Sequence, residues 1–216
     1  MSITDQTVTE CRELAARYPQ ARSALLPMLH LVQSQEGIVN KAGIELCAEV
    51  LQLSTAEVNA VATFYTMYRR TSKGGEHHIG VCINTLCGLL GGDAIYEALS
   101  NRLGVGSLET TSDGAFTLER LECMAACTHA PVMTVDWEFF DQMTIASAMD
   151  TIDDLIAGVA VTPSRGPAVR GWRAAERTVA GLDDGLANEG GGADELMLAG
   201  LNRAKELGQT APGKVN

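Results

Sequence analysis

Four of the six cysteines fall into two close pairs. Cys82 and Cys87 are separated by four residues, and Cys123 and Cys127 by three. Paired thiolates are ligands for soft metal centres. A 2Fe–2S cluster takes four of them, two per iron, which suits two cysteine pairs. A zinc site also accepts four thiolates, although its usual C-x2-C turns are missing here. A thioredoxin-type dithiol needs C-x-x-C, which is absent. A Rieske centre needs two histidines beside two cysteines, and four cysteines make them unnecessary. Two unrelated pairs of core cysteines remain an alternative, since free Cys is commonly buried. Spacing alone leaves the cluster, zinc and core readings open.

The neighbouring residues bear on the choice. Gly88, Gly91 and Gly92 follow the first pair, and Met124, Ala125 and Ala126 fill the second loop. Small residues let backbone N–H groups approach sulfur and stabilise buried negative charge. From Glu122 to Ser164 there is no Lys or Arg, while seven acids lie in that span. Negative surroundings disfavour adding an electron, so any redox centre here is expected to have a low reduction potential.

Other chemistry-bearing residues read as structural. Cys11 and Cys47 fit no pair and are expected in helix cores. His77 and His78 lie on the strand entering the first loop. His129, two positions after Cys127, is either a satisfied loop histidine or a proton carrier beside the site. For Ala130–Pro131 trans is the base state of an X-Pro bond, but the sequence leaves cis or trans open. Gly88-Leu89-Leu90-Gly91-Gly92 reads as tight turning, not as a phosphate loop. No P-loop, nucleophile elbow or strand-linked G-x-G-x-x-G is present. Phe64-Tyr65-Thr66-Met67-Tyr68 is either core or a partner-facing surface, and Arg69-Arg70 reads as a solvated or interface edge.

The elements that must position the pairs follow from periodicity. Helices are expected at Thr7–Tyr18, Ser23–Gln35 and Lys41–Gln52. A fourth starts at the capping box Ser54-Thr55-Ala56-Glu57, where each side chain satisfies an orphan backbone donor. Short connections make these an antiparallel bundle over residues 1–73. After Gly75 strands and helices alternate: strand His77–Val81, helix Asp93–Leu103, strands Phe116–Leu121 and Val132–Val135, a hairpin across Asp136-Trp137, and helix Ala146–Ala157. Residues 74–163 thus read as a small α/β sandwich, with both cysteine pairs starting where strands end, at the same edge of one sheet.

Residues 164–216 look different. They hold 7 basic and 7 acidic residues and 10 of the 22 glycines, whereas residues 1–163 carry the whole net charge of −11. A flexible tail is expected, largely unstructured or partner-bound, with one helix at Asp194–Leu207. The acidity argues against nucleic acid and anionic lipid as partners. No export signal or bilayer-length apolar run is seen, so a cytosolic, thiol-reducing setting is expected.

The stretch Val81-Cys82-Ile83-Asn84-Thr85-Leu86-Cys87-Gly88-Leu89-Leu90-Gly91 resembles the first cluster loop of one family, the small 2Fe–2S subunit (E type) of NADH:quinone oxidoreductase, respiratory complex I. Cys123-Met124-Ala125-Ala126-Cys127-Thr128-His129-Ala130-Pro131 resembles its second loop. Leu29-His30-Leu31-Val32-Gln33, Gln35-Glu36-Gly37 and Ala62-Thr63-Phe64-Tyr65-Thr66-Met67-Tyr68 resemble its helical half. The likeness runs from about Ala24 to Ala157. It implies an α+β chain with a helical bundle and a thioredoxin-like domain. It also implies one 2Fe–2S cluster, with Cys82 and Cys87 on one iron and Cys123 and Cys127 on the other. The implied partner is the flavin- and NADH-binding subunit (F type), which would hold FMN and NADH in place of this chain. The complex would sit on the inner face of the plasma membrane, with this chain peripheral to it. Ala125 stands where the family often has Gly, and Phe139-Phe140 where it often has Tyr. The homologous subunit of an NAD-linked formate dehydrogenase or hydrogenase is a near alternative. A zinc-stabilised interaction module is one of a different class.

Overall fold

Local signals start and stop the helices. The structure, a computed structural model, describes residues 3–210. α1 (Asp5–Ala16) is capped by the Thr4 side chain, which accepts from the Thr7 N–H. α2 (Leu25–Glu36) ends at Gly37, which takes the left-handed conformation that closes a helix at little cost. Pro27 lies in its first turn, where a missing N–H costs no hydrogen bond. α3 (Lys41–Leu51) is capped by Asn40, and α4 (Thr55–Phe64) by the full Ser54/Glu57 capping box. The four helices share one core, in which Leu14, Met28, Leu29, Val32, Cys47 and Val58 are sealed from solvent.

A second core lies under the sheet. Its elements are β1 (His77–Cys82), α5 (Thr85–Leu89), α6 (Gly92–Leu103), β2 (Glu109–Thr110), β3 (Phe116–Leu121), β4 (Met133–Val135), β5 (Glu138–Phe140) and α7 (Ile145–Ile156). The strand order is β2-β3-β1-β4-β5. β1 and β3 are parallel, with Cys82 opposite Leu121, and the other pairings are antiparallel. Parallel neighbours end at the same edge of a sheet. Asp136 and Trp137 both have positive φ, 52° and 71°, the geometry a two-residue hairpin turn needs. α5 and the two-residue β2 were not expected. Both are too short to set a periodic pattern.

The region after residue 163 departs from expectation. α8 (Trp172–Val179) packs along α2, with Trp172 1% and Glu176 0% exposed. This corrects the reading of that stretch as unstructured or partner-bound. Its inward face carries an acid, which the composition suggests should be solvated. Glu176 is instead held by three donors. Arg173 donates to the Ser34 carbonyl at 2.7 Å, and Arg177 reaches Glu10 at 2.7 Å. α9 (Glu195–Glu206) starts at its Asp194 cap, and its leucines 196, 198, 201 and 207 are exposed.

Arg69 and Arg70 also differ from the solvated edge expected. Arg69 is buried and donates to the Leu108 carbonyl at 2.8 Å, joining the bundle to the segment before β2. Arg70 donates to the Val39 carbonyl and to Asn59. The aromatic run between is split. Phe64 is 78% exposed, while Tyr68 is buried and donates to the Leu26 carbonyl at 2.9 Å. No helix among the described residues is long and apolar enough to cross a membrane.

Candidate metal centre

The parallel pairing of β1 and β3 brings the two cysteine loops together. Cys82 is the last residue of β1, and Cys123 follows two positions after the end of β3. Cys87 lies on α5, which turns back toward the sheet edge. That return needs glycine at the start of α6. A Cβ on Gly92 would come within 2.9 Å of the Cys87 carbonyl oxygen, closer than real contacts allow.

The pairs differ in exposure. Cys82 and Cys87 are buried and share a small apolar cluster with Val132, against which Met124, Ala126, Ala130 and Phe139 pack. Cys123 and Cys127 are exposed, with their sulfurs 3.7 Å apart. The Ala125 N–H donates to the Cys123 sulfur at 3.4 Å, from a residue at φ 56°. Burial pushes the Cys87 thiol up to about 11; Cys82 and Cys127 add to the rise, and the Val132 N–H opposes it. The Cys127 thiol is pushed up by its hydrogen bond with Cys123, with burial and Cys82 contributing.

This donor set fits a binuclear cluster. A 2Fe–2S cluster takes two thiolates per iron, and two cysteine pairs supply that number. The backbone donors at Ala125 and Val132 are of the kind that stabilises thiolate charge.

The remaining candidates separate from the site. Cys11 and Cys47 are 0% exposed in the helical core, where burial pushes the Cys11 thiol up to about 12 and the Cys47 thiol higher still. His77 Nδ1 lies 2.7 Å from Asp136, and His78 Nε2 lies 2.8 Å from Glu119. The His77 pKa is subject to burial, which lowers it, but the Asp136 hydrogen bond and charge outweigh that and leave it raised. His129 Nε2 is 2.8 Å from Asp194, the cap of α9. The Ala130–Pro131 bond, left open by the sequence, is cis.

Sequence reasoning missed the tail residues that hold the hairpin after the second loop. Arg165 lies over the Phe139 ring at 4.3 Å and makes two bonds to Asp141. Glu176 accepts from Trp137 at 3.1 Å, from His30 at 2.7 Å and from Gln33 at 2.9 Å. The available signal was Trp172, the one aromatic residue after residue 163, with Glu176 one helical turn beyond it.

Comparison with known proteins gives the family. Residues 11–156 match the family model described as Thioredoxin-like [2Fe-2S] ferredoxin. The E subunit of the NADH-quinone oxidoreductase of Mycobacterium tuberculosis (strain ATCC 25618 / H37Rv) is 50% identical over 204 residues, 94% of this chain and 81% of that protein. The E 2 subunit of the NADH-quinone oxidoreductase of Rhizobium meliloti (strain 1021) is 37% identical over 153 residues, 71% of this chain and 90% of that protein. The mycobacterial match necessarily takes in most of residues 164–216, whereas the rhizobial one need not. Among solved structures, an NAD+-reducing [NiFe]-hydrogenase in the air-oxidized state shares the fold, with a TM-score of 0.56 and 17% identity over 66% of this chain and 24% of that one. On the family match and these identities, the chain belongs to the thioredoxin-like [2Fe-2S] ferredoxin family.

Proposed function

We propose that this chain is an electron-transfer subunit of an NADH:quinone oxidoreductase, holding one 2Fe–2S cluster on Cys82, Cys87, Cys123 and Cys127. The observation that carries the reading is the delivery of two cysteine pairs to one sheet edge by the parallel strands β1 and β3. The identity with the mycobacterial and rhizobial oxidoreductase subunits supports the parent complex. The partner is the flavin- and NADH-binding subunit, which holds FMN and NADH in place of this chain. The chain is peripheral on the membrane-bound complex, at the inner face of the plasma membrane.

A 2Fe–2S cluster supplies one-electron redox chemistry when bound. The chain supplies its surroundings. Val132, Met124 and Phe139 pack on the buried pair and keep water from Cys82 and Cys87. The Ala125 and Val132 N–H groups donate to sulfur. Cys123 and Cys127 leave the second loop open toward a partner, where an electron enters or leaves.

Iron and acid-labile sulfide assays on the purified full chain, combined with electron paramagnetic resonance after reduction, test this reading. Two irons and two sulfides per chain with a reduced-cluster signal are expected. One zinc without sulfide would overturn the redox reading.

A further inference from the structure

Three side chains of the C-terminal region, spread along its length, touch one short stretch of the molecule. Arg165 stacks over Phe139 and grips Asp141 through two nitrogens, at 2.8 and 3.1 Å. Glu176, wholly buried on α8, accepts from Trp137. Asp194 meets His129 at 2.8 Å while its other oxygen caps α9. The receiving residues all lie between 129 and 141, in the loop and hairpin that directly follow Cys127. The backbone joins in, because the Ser164 N–H donates to the Phe139 carbonyl at 2.8 Å.

The path between these anchors is fixed as well. Gly190 has φ +76°, and a Cβ there would collide with the backbone of Gly166. The Gly166 N–H points to the Gly191 carbonyl at 3.4 Å. The glycine run is thus a close crossing of two backbones, and it delivers Asp194 to His129.

We propose that residues 164–194 form a strap whose Arg165, Glu176 and Asp194 are positioning residues for the second cysteine loop. This rests on the reading of Cys123 and Cys127 as ligands. Those two cysteines are the exposed pair. Phe139 is the mechanical link, since it lies under Arg165 on one side and packs against the cysteine cluster on the other. The strap holds loop and hairpin in one geometry and slows their opening to water.

The test uses the full chain. Asp194→Ser keeps a helix cap but is too short to reach His129, and Arg165→Gln removes the stacked, two-nitrogen grip. Hydrogen exchange is followed in the cluster-free chain, and iron loss to a chelator in the reconstituted one. Each single variant is expected to speed exchange in 129–141 and iron loss by about two- to fivefold, the range of an interaction only partly shielded from solvent. The double variant should reach about tenfold and broaden the paramagnetic signal. Asp194→Asn, which keeps a hydrogen bond to His129, should return both rates to wild type. Wild-type rates in the double variant would overturn the proposal, as would a rise spread evenly over β1 and the bundle. Should the wild-type chain bind no iron and sulfide, the ligand reading fails, and the exchange comparison still decides whether the strap acts.

Discussion

Removing the Glu176 carboxyl group should cost far more than its place in an apparently polar tail implies. It accepts from His30, Gln33 and Trp137 at 2.7–3.1 Å with no solvent exposure. A buried donor left without a partner costs about 1–3 kcal/mol. Gln33 keeps a second bond to the Met67 carbonyl at 2.9 Å, and Trp137 is only partly buried, so the three losses do not add in full. Glu176→Ala is therefore expected to destabilise the full chain by about 3–5 kcal/mol, the range seen when one partner of a buried polar pair is removed. Glu176→Gln fills the same space but turns one oxygen into a donor facing donors. It should cost about 1–3 kcal/mol. Urea unfolding followed by circular dichroism measures both, and the double change Glu176→Ala with Trp137→Phe should cost less than the sum. An Ala variant within about 1 kcal/mol of wild type would refute the argument and return α8 to the status of a loose tail.

Further outcomes follow from the site and its surroundings. Cys87→Ser should strip most of the visible absorption of a reconstituted chain while the helical signal stays, and Cys11→Ser should leave the spectrum alone. The acids between Glu122 and Ser164, with no base among them, should hold the cluster potential below zero in a titration monitored by paramagnetic resonance; a value well above zero contradicts this. The raised pKa of His77 makes its contribution full below about pH 6.5, the ordinary value, and lost as pH rises through the folded value. Unfolding midpoints should thus fall from pH 6 to pH 8, and His77→Gln should flatten that slope. Ala125 sits at φ 56°, which costs an L-residue roughly 1–2 kcal/mol, while glycine loses about 0.4–1 kcal/mol through the unfolded chain. Ala125→Gly should be neutral to slightly stabilising by thermal melt, and clear destabilisation would contradict the strain.

What the sequence made legible was whatever depends on local chemistry. The Ser54/Glu57 box acts within one turn and appears where expected, and the helix expected from Asp194 begins there. The cysteine pairs stood out by their spacing, which left their chemistry open until the family resemblance was added. That their loops share one sheet edge depends on the parallel pairing of β1 with β3. The failures share one cause. Arg69 and Glu176 are charged residue types, which are rarely buried, and each is buried here by partners far away in the chain: Leu108 for Arg69, and His30 and Gln33 for Glu176. Nothing local announces such partners. β2 spans two residues and exists because β3 offers it an edge.

The packing of α8 on α2 joins residues separated by more than half of the chain. Contacts between such distant residues form late in folding, after loop closure has been paid for. During synthesis both cysteine loops leave the ribosome before Arg165, Glu176 or Asp194 exists. Domains tend to fold as they emerge, so the sheet edge can assemble while its outer loop is still unfastened. On the proposed reading of Cys82, Cys87, Cys123 and Cys127 as ligands, the late arrival of the strap leaves the outer loop accessible while a cluster is put together, and its docking ends that interval.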